Sequence, residues 1–348
     1  MSPAGGRSED SMLRFIVRCL CAAALLLPSA AGAEPITLKL SFFSSDRSMS
    51  YIAAAKPFVD AVNAEAKGLV EIKVLFSGTL GKDIARQPQL VLDGAADLAF
   101  VVPGYTPDQF PDNAVLELPG LFRDMREATL VYTRLIAQNA LRGYQGFFVV
   151  GAYATEPETI HGRTAISSIA DLKGKRIRVN NQGAFAALEK LGAIPVPLPV
   201  NQIADAISAK KLDAAEVSLT PLADYGIKRV VDHHYLLGTD VAPLALLMSR
   251  KSFDALPKAA QDIIRKHSGD WTALRFIEAY KTSDRRVMEQ LRSDPHRSIV
   301  IPSRDDLKIA HSAFNAVIAQ WAAASHDNRE LLDKTRALIA ALRPPGGD

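Results

Sequence analysis

Arg178 and Asn180 stand two residues apart in the run Lys175-Arg176-Ile177-Arg178-Val179-Asn180. That spacing puts both on one face of a strand, close to a helix that begins near Ala184. In open α/β sheets ligands bind beyond the carboxyl ends of the strands, and a guanidinium placed there can hold a carboxylate through two parallel bonds. Spacing alone leaves a second reading open, a solvated arginine on an edge strand, and Arg176 fits that reading better than Arg178 does. Tyr105, Tyr153 and the polar loop Ser44-Ser45-Asp46-Arg47-Ser48 also follow strand ends, where turn and surface roles compete with ligand contact.

Other chemistries find little support. The seven histidines show no H-E-x-x-H or comparable ligand spacing, and His233-His234 on a strand would point to opposite faces. No metal site is therefore expected. Gly78-Thr79-Leu80-Gly81-Lys82-Asp83 is too short for a phosphate loop and carries Asp83 where a metal-binding hydroxyl would be needed. Neither G-x-S-x-G nor G-x-G-x-x-G occurs, so no nucleophile elbow, dinucleotide site or cofactor is expected.

The chain has 348 residues, 48% hydrophobic and 23% charged, which predicts a folded protein of two domains. A net charge of +3 is too small for a phosphate-neutralising surface, so nucleic acid is not an expected partner. Arg14 and Arg18 precede an apolar run from Cys19 to Leu27, followed by Pro28-Ser29 and Ala31-Gly32-Ala33. That order is a signal peptide cleaved after Ala33 into the periplasm, its apolar run too short to span a bilayer. Glu9 and Asp10 suit a basic leader poorly, which leaves Met1 and Met12 both open as the start. Cleavage removes three arginines and two acids, leaving +2, and takes both cysteines with it. Disulfides and thiolate chemistry are then closed to the mature chain. No later stretch holds the roughly 18 consecutive apolar residues of a spanning helix.

From Glu34 onward strands and helices alternate. Strands are expected at Ile36–Phe42, Leu69–Phe76, Leu98–Val102, Phe147–Val150, Ile177–Val179, Pro195–Leu198, Ala214–Leu219 and Pro243–Met248. Helices are expected at Tyr51–Ala66, Ile84–Leu92, Arg123–Asn139, Ala184–Leu191 and Ile203–Lys210, through much of Pro257–Arg292, and at Asp305–Trp321 and Asn328–Leu342. The alternation predicts parallel α/β sheets in two similar halves. A short echo, Leu92-Asp93-Gly94-Ala95-Ala96-Asp97-Leu98 against Lys211-Leu212-Asp213-Ala214-Ala215-Glu216-Val217, hints at duplication.

Asp171-Leu172-Lys173-Gly174-Lys175-Arg176-Ile177-Arg178-Val179 resembles the D-L-K-G-x-K-I-R-V signature of the solute receptors of tripartite ATP-independent periplasmic transporters, the dicarboxylate-receptor type. Leu191-Gly192-Ala193-Ile194-Pro195-Val196-Pro197, Gly78-Thr79-Leu80-Gly81 and Gly94-Ala95-Ala96-Asp97 resemble further segments of that family. The resemblance implies a two-domain periplasmic binding-protein fold, each domain a mixed sheet flanked by helices, with a long connecting helix at Trp271–Leu291. It divides the chain into the leader 1–33, domain I at 34–153 plus about 243–283, domain II at 154–242 plus about 284–325, and a C-terminal helix and tail at 326–348.

The same resemblance makes Arg178 the clamp of a ligand carboxylate; its candidate companions are Asn180 on the same strand face, the strand-end residues Tyr153, Tyr105, Ser44 and Asp46, and Glu216. It implies no enzymatic activity, and delivery of an organic acid to the small and large membrane subunits of a permease. Val217 stands where the family commonly has a ligand-touching asparagine, and Tyr153 where a second arginine is often found. Both changes make the pocket less polar, so a monocarboxylate with an apolar or aromatic body is as compatible as a C4-dicarboxylate. Two alternatives remain open: a periplasmic enzyme using Glu216 or Asp240 as a base, and a receptor serving a sensor or an ATP-driven importer.

Overall fold

A computed structural model describes residues 34–343; the leader and the Pro344-Pro345-Gly346-Gly347 tail lie outside the described residues. The first lobe begins with β1 (Ile36–Ser41), α1 (Lys56–Glu65), β2 (Val70–Leu75), α2 (Gln87–Leu92), β3 (Leu98–Val101), α3 (Met125–Ala137) and β4 (Phe147–Ala154). The second contains β5 (Thr159–Gly162), β6 (Arg176–Val179), α4 (Gln182–Lys190), β7 (Ile194–Pro197), α5 (Ile203–Ser208), β8 (Ala214–Val217), α6 (Leu219–Asp224) and β9 (His233–Tyr235). The chain then returns to the first lobe as β10 (Pro243–Ser249), α7 (Arg250–Asp254) and α8 (Lys258–Lys266). It ends with α9 (Asp270–Ser293), β11 (Ser298–Val300), α10 (Arg304–Ala323) and α11 (His326–Leu342).

The strands form a five-stranded sheet, β2-β1-β3-β10-β4, and a six-stranded sheet, β11-β9-β5-β8-β6-β7. β3 lies between β1 and β10 with all four residues buried, as its unbroken apolar sequence requires. Both sheets are mixed, as the resemblance implies, rather than parallel as the strand–helix alternation alone predicts. β10 runs antiparallel to β3 and β4, and β5 antiparallel to β8 and β9, because both strands belong to the crossings between the lobes and enter their sheets from the far side.

Other boundaries shift for local reasons. The segment 257–292 breaks into α8 and α9 at Gly269, whose φ of 62° an L side chain adopts rarely. The internal echo is structural, three residues out of the register read from sequence. Asp97 accepts the main-chain N–H of Lys39 at the entry to β3, and Asp213 accepts that of Arg176 at the entry to β8.

Two extended segments and α9 connect the lobes. The outgoing and returning segments pair through Thr155 N–H to Ala242 O (3.1 Å), Glu158 N–H to Asp240 O (2.7 Å) and Thr239 N–H to Glu158 O (2.8 Å). The expected long helix is α9, 24 residues. Its Thr272 hydroxyl donates to Val150 O in the first lobe, and its Asp284 accepts from Thr220 in the second.

Candidate functional site: the cleft at Arg178

β6 enters its sheet at Arg176, whose guanidinium forms a half-exposed ion pair with Asp213 (2.8 Å). Two residues further on, Arg178 is 1% exposed. Its Nε donates to Leu198 O (2.8 Å), Nη1 to Glu216 O (2.8 Å) and Nη2 to the Tyr105 hydroxyl (2.9 Å). A guanidinium carries five N–H donors, and these bonds use one on each nitrogen. One N–H on each terminal nitrogen is not used by these three bonds.

Tyr105 reaches this cation from the first lobe. Its hydroxyl oxygen also accepts the N–H of Val200 (2.9 Å), so two accepted bonds occupy the oxygen and its proton remains available to donate. Burial raises the Tyr105 hydroxyl above its ordinary value, which keeps that proton in place.

Two cavities meet here. The inner one, about 40 Å³, is lined by Arg178, Glu158 and Asn180 and walled by Phe43, Phe100, Tyr225 and Tyr280. Among the described residues lining it, Arg178 is the one cation. Its size admits no more than a few water molecules, so a larger guest enters only when the lobes part. The outer cavity, about 310 Å³, lies between the Pro103–Pro107 and Pro111–Glu117 segments of the first lobe and Asn180–Gln182 and Pro197–Pro199 of the second. Tyr105 and Asn180 line both.

The structure thus brings together Arg178, Asn180 and Tyr105. Glu216 is adjacent through its carbonyl, while its carboxyl points into a buried acidic cluster. Tyr153 is elsewhere: β4 continues past the expected end at Val150 to Ala154, so Tyr153 lies within a strand and is turned under α9. There it stacks on Phe276, and its hydroxyl donates to Ala54 O (3.0 Å). Ser44 bonds Ser48 (3.0 Å) and Asp46 is exposed; that loop supplies Phe43 and Ser50 to the inner cavity instead. His233 and His234 do face opposite ways, and His234 meets His161 (Nδ1 to Nδ1, 2.7 Å) in the second lobe. Burial first, and for His161 the His234 ring next, lowers these imidazoles to about 3 for His161 and about 4 for His234, so both are neutral at pH 7.

Sequence reasoning missed Glu117 and Glu158 and read Asp240 only as a possible base. Oxygens of Glu158, Glu216 and Asp240 lie within 4.8 Å of one another, and all three residues are buried. Glu158 is also 3.9 Å from Arg178. Burial pushes the Glu158 carboxyl up to about 8, against the pull of Arg178 and with the help of Asp240. Burial, then the charges of Asp240 and Glu158, holds both Glu117 and Glu216 well above the usual range. No spacing rule could find this group, because its members come from four separate segments.

Two mixed sheets joined by paired crossings, with a cation buried between them, define a two-lobed binding protein. The family model of bacterial extracellular solute-binding proteins, family 7, matches residues 40–324, and this chain belongs to that family. The 2,3-diketo-L-gulonate-binding periplasmic protein of Escherichia coli K12 is 25% identical over 256 residues, 72% of this chain and 77% of that one.

Among solved structures, a TRAP solute-binding protein of Rhodoferax ferrireducens T118, in complex with copurified benzoate, is 25% identical with a TM-score of 0.81. The match covers 88% of this chain and 98% of that one. A marine metagenome TRAP solute-binding protein in complex with 3-hydroxybenzoate shares the fold at a TM-score of 0.82 and 22% identity, over 90% of this chain and all of the other. The chain is thus a solute-binding protein of the kind that serves tripartite ATP-independent periplasmic (TRAP) transporters. Among the described residues no helix is long and apolar enough to cross a membrane.

Proposed function

We propose that this protein captures a monocarboxylate with an apolar or aromatic body and hands it, chemically unchanged, to the small and large membrane subunits of a TRAP permease. Arg178 clamps the carboxylate through its two remaining N–H groups, Tyr105 donates a third bond, and Asn180 lies alongside. The observation that carries the reading is the inner cavity's charge balance. Arg178 is its one cation among the described lining residues, while Phe43, Phe100, Val217 and Tyr225 supply an apolar wall. A second ligand carboxylate would meet no counter-charge there. The benzoate held by the Rhodoferax relative supports the same class.

Acid released from the purified, denatured protein should be identified by mass spectrometry as such a monocarboxylate. In calorimetric titration benzoate should bind at least about tenfold more tightly than succinate, a difference of about 1.4 kcal/mol. Tighter succinate binding would overturn the class. Chemical change of the bound acid in a single turnover would overturn the receptor reading.

The lobes correspond to domain I (34–153 plus about 243–283) and domain II (154–242 plus about 284–325), which close over the ligand about the paired crossings. The location is the periplasm, after loss of residues 1–33. Intact mass of the exported protein should begin at Glu34, and a retained or lipid-bearing Cys21 would refute the soluble form.

A further inference from the structure

Three carboxyl groups converge where the lobes meet, with Glu117 near enough to feel the charge of two of them, more acid than one guanidinium can balance. Glu158 ends the outgoing crossing and Asp240 lies on the returning one, paired main chain to main chain. Glu216 comes from β8, and Glu117 from the first lobe, where it lines the outer cavity opposite Asn180 and Asn181. Their exposures are 2%, 2%, 0% and 6% respectively.

The donors facing them are few. Asn180 Nδ2 reaches Glu158 Oε1 (3.4 Å), Asn181 Nδ2 reaches Asp240 Oδ2, and the Thr239 hydroxyl donates to Glu216 Oε1. Glu158 Oε2, Glu216 Oε2 and Asp240 Oδ1 are buried and accept no hydrogen bond from another described residue. The charged or titratable groups facing these carboxyls are Arg178 on β6, 3.9 Å from Glu158, Tyr105, whose hydroxyl already receives Arg178, and, toward Glu117, Tyr132 and Tyr144. Oxygens of Glu158, Glu216 and Asp240 this close, this buried and this short of donors are satisfied when some of the carboxyls are protonated and donate to their neighbours.

We propose that ligand capture is proton-linked: Glu158, Glu216 and Asp240, flanked by Glu117, form a shared-proton cluster that gains protons as the lobes close, so capture of the acid takes up a proton. The proposal rests on the reading of the cleft as a carboxylate trap that closes. Parting the lobes would remove much of the burial of Glu117 and Glu158 and return both toward the ordinary carboxylate range. With the lobes shut, burial holds Glu117 well above the usual range and Glu158 at about 8. A ligand carboxylate on Arg178 also takes up the positive charge that otherwise favours ionised Glu158, which strengthens the protonated form. The closed state therefore binds more protons between these two limits, and affinity falls as pH rises through that window.

The test is calorimetric titration of the full mature protein with benzoate at pH 7.5, after dialysis against EDTA, in buffers of differing ionisation enthalpy. About half to one proton should be taken up per benzoate bound. From pH 6 to 7.5 the dissociation constant should rise by about tenfold per pH unit for each proton linked. Glu117→Gln and Glu158→Gln should each reduce the uptake.

Zero uptake with a flat pH profile would overturn the proposal. Binding that requires calcium or magnesium, with no proton taken up, would overturn it in favour of a cation held by the same carboxylates. If benzoate does not bind at any pH, the capture reading fails while the cluster is still decided by carbon-13 carboxyl titration of the free protein. Glu216, fully buried on β8 within one lobe, should titrate above the usual carboxylate range even with the lobes apart, and its titration as an ordinary carboxylate would sink the shared-proton cluster.

Discussion

Arg178→Ala should weaken acid binding at least about thirtyfold. The side chain is 1% exposed and anchored by three hydrogen bonds, so its two free N–H groups are held ready at no further ordering cost. Removing one partner of a buried, hydrogen-bonded charge pair costs roughly 2–5 kcal/mol, much of it from leaving the other charge unpaired. At about 1.4 kcal/mol per factor of ten, the lower bound is the thirtyfold stated. Arg178→Lys should recover only part, because an ammonium keeps the charge and loses the planar fork.

The alanine variant also strands the Leu198 and Glu216 carbonyls, so its fold must be checked by thermal unfolding beside the titration. Arg176→Ala is the control: its pair with Asp213 is half-exposed, and such a pair is worth no more than about 1 kcal/mol to stability. A folded Arg178→Ala that binds within about threefold of the parent, about 0.65 kcal/mol, would remove the clamp assignment.

Gly183→Ala should separate binding from stability. Gly183 lies in the first turn of α4, and a Cβ built there collides with the main-chain carbonyl oxygen of Glu117 in the opposite lobe. Main chain cannot swing aside as a side-chain tip can, so the closed state takes the full overpacking penalty, typically 1–3 kcal/mol. Affinity should fall by about 5- to 150-fold.

Within its own lobe the same change favours folding. Its backbone is not among the positive-φ glycines, and alanine in a helix is better than glycine by about 0.5–1 kcal/mol. Thermal unfolding of the free protein should therefore be unchanged or slightly raised while binding is lost. Small-angle scattering at saturating acid should show the parent compacting and Gly183→Ala remaining extended. Equal compaction and equal affinity would mean that the lobes do not close along this contact.

Much of the lobe architecture was legible because it rests on short-range rules. Period-two alternation marked β1, and an unbroken apolar run marked β3. Arg178 and Asn180 were legible for the same reason, since two residues on one strand share a face whatever the rest of the chain does.

Tyr153 shows the limit of such reasoning. Its apparent place after a strand depended on where β4 stops. The neighbouring β10 carries the pairing on to Ala154, which turns Tyr153 into the core beside Phe276.

Sequence alone therefore settled the strand carrying the cation, the family resemblance and the absence of cysteine from the chain beyond residue 33. Tertiary structure decided the rest: that β10 runs antiparallel, that Tyr105 crosses from the other lobe to Arg178, that Gly183 meets Glu117, and that Glu158, Glu216 and Asp240, distant in sequence, share one buried space. The physical reason is that local periodicity fixes which way a side chain points, whereas burial and charge balance depend on segments brought together only when the chain crosses between its lobes.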